Sequence, residues 1–194
     1  MTPREPALDE KVVAIDAAFR AAGIAHAFGG ALALAYYAEP RSTIDIDVNV
    51  FVPPTDFERV ADVLVQIGVT VDKVARTIGV RDGQARVWWV RTPVDLFFSY
   101  DDFHTHAATR VRTVPFGDTT IFVLAPEDLL VCKAVFDRRK DWIDIEQMLV
   151  TTAGDLDLVG VRGAVARVVG ADDDRVARLD RAVEEILGPG PNDP

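Results

Sequence analysis

Two aspartates inside a run of β-branched residues constrain this chain more than any other feature. In Ile44-Asp45-Ile46-Asp47-Val48 the aliphatic residues belong in a strand, where Asp is depleted. Strand side chains alternate, so Asp45 and Asp47 share one face, and Ile44, Ile46 and Val48 the other. Two carboxylates on one face repel unless a cation sits between them, and a divalent-metal site looks like this in sequence. A solvated acidic face has the same spacing, so D-x-D alone leaves both readings open. Arg41 and Thr43 extend the row, placing a cation and a hydroxyl beside the carboxylates. Mg²⁺ binds hard oxygen ligands through one or two carboxylates plus substrate phosphates, and Arg41 suits a phosphate or a carboxylate. Upstream, Gly29-Gly30 precedes a small apolar helical run. A glycine pair there lets backbone approach a phosphate, although ordinary turns use such pairs as well.

A third carboxylate, Asp95, lies in the apolar run Val94-Asp95-Leu96-Phe97-Phe98. A lone Asp there is costly unless satisfied. On a strand beside the first pair it completes a two-metal site; the other reading is a cap on the turn at Thr92-Pro93. Further on, Lys133, Arg138, Arg139, Lys140, Asp141 and Asp144 form a charged helical segment. The chain has only four lysines (Lys11, Lys73, Lys133 and Lys140), and two of them fall here. A helix can aim such cations at a triphosphate, with Asp141 and Asp144 on one face to orient them; a solvated helix with internal ion pairs reads the same.

The order of elements gives an α/β fold: a small mixed sheet flanked by helices, followed by a helical C-terminal part. Periodicity predicts a helix over 7–22, a strand over 25–28, an Ala-rich helix over 31–38, the acidic strand over 43–52 and a helix over 56–67. A strand is expected over 69–75. Gly79 and Gly83 suggest a turn within 76–86, followed by strands over 86–91 and 94–100. A hairpin over 111–124 turns at Gly117-Asp118. Helices follow over 126–138, 141–152, 156–169 and 173–187. The expected division is a core over 1–125, a helical part over 126–187 and a disordered tail over 188–194. His104 and His106 read as a surface loop, since one further His and one Cys support no zinc site. Lys73, Arg76, Arg81, Arg86 and Arg91 make a basic stretch that either meets RNA phosphates or is merely solvated.

The formal net charge of −10 argues against a nucleic-acid-coated surface but not against a local basic patch. No apolar run approaches the ~18 residues of a membrane span, and the N-terminus has no apolar signal segment. A cytoplasmic protein with no membrane partner is expected.

Taken together, Phe28-Gly29-Gly30, Arg41-x-Thr43-x-Asp45-x-Asp47, Asp95, Pro126-Glu127-Asp128-Leu129, Lys133 and Arg138-x-Lys140-Asp141-x2-Asp144 resemble the polymerase-beta-like nucleotidyltransferase superfamily. The likeness is greatest to its small AbiEii-like branch, which includes the MenT-type toxins of toxin–antitoxin pairs. The resemblance implies a minimal nucleotidyltransferase fold that transfers NMP from an NTP to an acceptor hydroxyl and releases pyrophosphate, with two Mg²⁺ ions. It makes Asp45, Asp47 and Asp95 metal ligands and catalytic groups, with Lys133 and Asp144 completing the active site. Gly29, Gly30, Arg41, Thr43, Lys133 and Lys140 would serve the NTP. Toxins of this type modify tRNA 3′ ends, which implies tRNA and a cognate antitoxin as partners. Related enzymes act on small molecules or proteins, and a catalytically inactive binding module of the same fold is the remaining alternative. The chain departs from the superfamily in having Gly-Gly where Gly-Ser is frequent.

Overall fold

The computed structural model describes residues 4–188; of the tail expected to be disordered, 189–194 lie outside the described residues. The chain divides into two compact units. One comprises residues up to Leu32 together with Ser42–Leu124, and the other comprises Ala33–Arg41 together with Ala125 onward.

The first unit is built on a six-stranded mixed sheet. Its strands are β1 (His26–Phe28), β2 (Ile46–Val50), β3 (Gln84–Trp89), β4 (Thr92–Phe98), β5 (Arg112–Phe116) and β6 (Thr119–Val123), in the order β3-β4-β2-β1-β6-β5. β2 runs parallel to β4 and antiparallel to β1; β3–β4 and β5–β6 are antiparallel hairpins. Ile46, Val48 and Val50 of β2 and Val94, Leu96 and Phe98 of β4 are buried. Their apolar face fixes the register, because a one-residue slip would turn it to water.

Helix α1 (Leu8–Ala21) buries Val12, Ile15 and Phe19 and stops before Gly23. It also buries a lysine. The Lys11 ammonium donates to Glu5, to the Trp89 carbonyl and to the Thr92 hydroxyl, so its charge is compensated and its donors satisfied. The β3–β4 turn is thereby pinned to the beginning of the chain. That turn lies at Val90-Arg91 rather than at the expected Thr92-Pro93, which belongs to β4.

Several expected elements differ from those observed. The helix expected over 31–38 is a single turn, α2 (Gly30–Leu34). The acidic strand begins only at Ile46, and Ile44, expected to share a face with Ile46 and Val48, is 79% exposed while those two are buried. After α3 (Phe57–Gln66), the expected strand and turn over 69–86 are replaced by α4 (Lys73–Asp82). Thr70 retains one bridge to Trp88. Asp72 caps α4 by accepting from the Ala75 amide at 2.7 Å, and Gly83 ends it in the left-handed conformation at φ 70°. Gly79 sits inside the helix because a Cβ there would collide with the ring of Phe57. The segment expected to be a loop around His104 is α5 (Asp102–Arg110), capped by Asp101, with His104 buried and bonded to Asp101 at 2.6 Å.

The second unit is helical: α6 (Pro126–Phe136), α7 (Arg139–Thr152), α8 (Leu158–Val169) and α9 (Asp174–Leu187), close to the expected spans. α6 packs against the other three. Leu130, Ala134, Ile145, Met148 and Val165 are fully buried among them. Asp173 caps α9. No helix among the described residues is long and apolar enough to cross a membrane.

Candidate active site

The parallel pairing of β2 with β4 sets Asp47 directly beside Asp95. Asp45, one residue ahead of the strand, completes the group. Oxygens of Asp45, Asp47 and Asp95 all lie within 4.8 Å of one another, on half-buried side chains. The alternation argument thus holds for the carboxylates, and Asp95 joins them from the neighbouring strand rather than capping a turn. Three hard oxygen donors this close, with no His or Cys among them, fit Mg²⁺ and not a structural zinc. This is the one such group of His, Cys, Asp and Glu among the described residues.

Their orientation is held locally. The Thr43 hydroxyl donates to the Asp45 carboxylate, so Thr43 braces a triad member. Gly30 has φ 53°, and a Cβ built on it would run into the Asp47 carboxylate. A serine at this position would be both strained and in collision. The departure from Gly-Ser is therefore matched by an aspartate packed onto the glycine. The Gly29 amide donates to the Asp47 carbonyl at 2.9 Å, so it is committed to β2 at the centre of the sheet. With α2 only one turn long, this segment lacks the helix dipole expected to follow the glycine pair.

Arg86 was not singled out from the sequence as a site residue, only as part of a basic stretch. It lies opposite Asp95 in the β3–β4 register. Its Nε and Nη2 donate to the two Asp95 oxygens at 2.7 and 2.6 Å. That hydrogen bonding, and next the charges of Asp95, Asp45 and Asp47, holds the guanidinium pKa above its ordinary value against the effect of burial. A two-residue turn at 90–91 pairs 89 with 92 and hence 86 with 95, so the hairpin register was the available signal. The other three arginines of the basic stretch are also paired: Arg76 with Glu58, Arg81 with Asp82, Arg91 with Glu5. The solvated reading fits these three better than a phosphate-binding patch.

Lys133, Asp144 and Arg41 form a second cluster, within the second unit. The Lys133 ammonium donates to Asp144 at 2.6 Å, and both side chains are 3% exposed. Arg41 approaches the same carboxylate with Nε and Nη2 at 3.2 and 3.1 Å. Burial pushes the Asp144 carboxyl up, but the hydrogen bonds from Arg41 and Lys133 outweigh it and hold the group below the usual carboxylate value. Asp141 instead binds Arg138 through both oxygens. Lys140 is exposed and stays outside these pairs. Arg41 and Thr43, expected in one row, thus bond different carboxylates, because the regular strand does not reach back to them.

The sequence matches the family model described as nucleotidyl transferase AbiEii toxin, Type IV TA system, over residues 14–190. A search of curated proteins found no match. Among solved structures, the solution structure of the antibiotic-resistance factor ANT(2'')-Ia superposes with a TM-score of 0.57 at 14% identity, covering 91% of this chain and 97% of that one. A crystal structure of ANT(2'')-Ia in complex with adenylyl-2''-tobramycin gives 0.51 at 12% identity, covering 90% and 95%. At such identities the likeness speaks for the fold; the family match covers most of the chain and speaks for membership.

Proposed function

The chain belongs to the AbiEii nucleotidyltransferase toxin family and is a nucleotidyltransferase, and from that premise we propose that it moves NMP from an NTP to a tRNA 3′ end, as the toxin of a toxin–antitoxin pair. The observation that carries the catalytic part of this reading is the convergence of Asp45, Asp47 and Asp95 within 4.8 Å. These three residues would hold divalent metal, Mg²⁺ by donor type, in up to two ions. Bound there, the metal supplies Lewis-acid charge for in-line attack at the α-phosphorus. Asp95 is the proposed acceptor of the proton from the attacking hydroxyl. The new bond joins that oxygen to the α-phosphorus, and the bond to pyrophosphate breaks.

In the second cluster, Arg41 is the open member, 35% exposed against 3% for Asp144. We assign it to a phosphate of the NTP. Lys133, enclosed with Asp144, acts through that carboxylate to hold Arg41. Gly30 and Lys140 are assigned to the triphosphate on the strength of the family resemblance. Since NTPs and tRNA are cytoplasmic, the reading places the reaction there, with an antitoxin as the implied protein partner.

The purified full-length chain, incubated with each α-labelled NTP, Mg²⁺ and deacylated tRNA, tests this. Label is expected on tRNA from one preferred NTP, and EDTA should abolish it. No transfer from any NTP, to tRNA or to other acceptors, would overturn the reading. A second reading has the same chemistry with a small-molecule acceptor. It is favoured by the formal charge of −10 and by the pairing of Arg76, Arg81 and Arg91 with carboxylates, which leaves those arginines less available to an RNA backbone. Label on an aminoglycoside or other hydroxylated small molecule, with none on tRNA, would decide for it.

A further inference from the structure

We propose that Arg86 is a counter-ion latch on the active site: it grips the third carboxylate while no divalent ion is bound and releases it when one binds. The proposal rests on the reading of Asp45, Asp47 and Asp95 as metal ligands.

Both oxygens of Asp95 are engaged by the guanidinium, at 2.7 and 2.6 Å. The guanidinium takes one lone pair on each oxygen, so a metal drawing on this carboxylate shares its charge with Arg86 and weakens the pair. The pair is directional because the register creates it. Arg86 and Asp95 are opposite residues of the β3–β4 hairpin, and opposite charges across a strand pair attract.

Arg86 is also built to leave. It lies on β3, one of the two edge strands of the sheet, and is 52% exposed where Asp95 is 17% exposed. A cleft of about 290 Å³, lined by Ile78, Gln84, Phe97, Arg86 and Asp95 among others, opens beside the pair. Both partners line it, so the guanidinium borders open space. The bidentate fork makes this pair stronger than an ordinary surface ion pair, but the half-exposed guanidinium regains water on leaving, which a buried one would not. Arg86 thus supplies positive charge to three crowded carboxylates and keeps Asp95 ordered before the ion arrives. It is a positioning residue, since it acts through Asp95.

The test is metal binding by the full-length protein, followed by calorimetry with Mg²⁺ and by the spin resonance of Mn²⁺, with no nucleotide present. Arg86→Gln should bind the ions roughly threefold to tenfold tighter than wild type, the range that loss of one half-exposed ion pair allows. Arg86→Lys retains charge but loses the fork and should fall between them. The gain should vanish in an Asp95→Asn background, because the competition runs through that carboxylate.

Equal or weaker binding by Arg86→Gln, or the same gain in the Asp95→Asn background, would overturn the latch while leaving the metal site standing. Binding that is indifferent to Asp45→Asn and Asp47→Asn, or absent from every variant, would overturn the metal reading and the latch together. Arg86→Lys, with its charge retained, serves as the folding control.

Discussion

The two ionic clusters differ in a way that sets what each can do. On the sheet face, three carboxylates share one guanidinium, all on half-buried or half-exposed side chains. In the helical unit, one carboxylate is shared by two cations, and Lys133 and Asp144 are closed off from water. The first gathers three carboxylates within 4.8 Å, so it suits a divalent cation. The second is deficient in negative charge, with the spare capacity on its most open member, Arg41, so it suits a phosphate oxygen. Burial separates them further. A buried pair that loses a partner leaves a costly charge behind, whereas an exposed pair re-forms with water. The helical cluster is therefore part of what holds its unit together, and the sheet cluster can change partners.

Substitutions should expose this contrast. The largest effect is expected from Asp47→Ala or Asp45→Ala: transfer of labelled NMP should fall by roughly a thousandfold or more, on the scale of lost electrostatic preorganisation, with the circular dichroism spectrum retained. Full transfer by either variant would remove the triad from the chemistry. Gly30→Ala comes next. It forces a side chain into a left-handed backbone position and against the Asp47 carboxylate. A drop in kcat of about a hundredfold is expected, with about 1–3 kcal/mol lost in urea unfolding.

Lys133→Met should destabilise the fold by about 3 kcal/mol, by leaving Asp144 buried with only Arg41. Arg86→Gln, on the exposed cluster, should cost less than about 1 kcal/mol. Equal losses in the two urea titrations would erase the contrast in burial.

The smallest effect is on pH dependence. The Asp144 pKa is lowered in the fold. Its contribution to stability is complete above the unfolded carboxylate value of ~3.9 and is lost as pH falls through the depressed native value. The wild-type urea midpoint should therefore decline on acidification below about pH 4, and Asp144→Asn should remove part of that slope.

Sequence patterns carried the core of this architecture where a single local rule decided the outcome. The C-terminal helices, the Gly117-Asp118 hairpin and α1 follow from apolar periodicity with turn or cap residues at the ends. The carboxylate pair was legible because Asp is out of place among Ile and Val. Asp95 was legible for the same reason, and the parallel register supplied the contact that spacing could not.

The failures occurred where a residue answers to a distant neighbour. Gly79 and Gly83 suggested a turn, but Gly79 is small for the sake of the Phe57 ring, and Gly83 is a helix cap. Ile44 follows the alternation in sequence yet lies before the strand and faces water. His104 looked like a loop residue because its burial depends on Asp101 and on the ring of Tyr100, 4.9 Å away. Arg86 was hidden in a basic stretch until the hairpin turn fixed its partner.

The Lys11 contact has a consequence in time. Its ammonium meets the Trp89 carbonyl and the Thr92 hydroxyl, 78 and 81 residues further along the chain. A chain made at about 5–20 residues per second presents this lysine, with Glu5 as its local partner, for several seconds before those two acceptors exist. α1 therefore cannot finish docking during early synthesis. These two contacts close only after the hairpin carrying Arg86 and Asp95 has been made, so the final docking of Lys11 waits on that hairpin in the nascent chain.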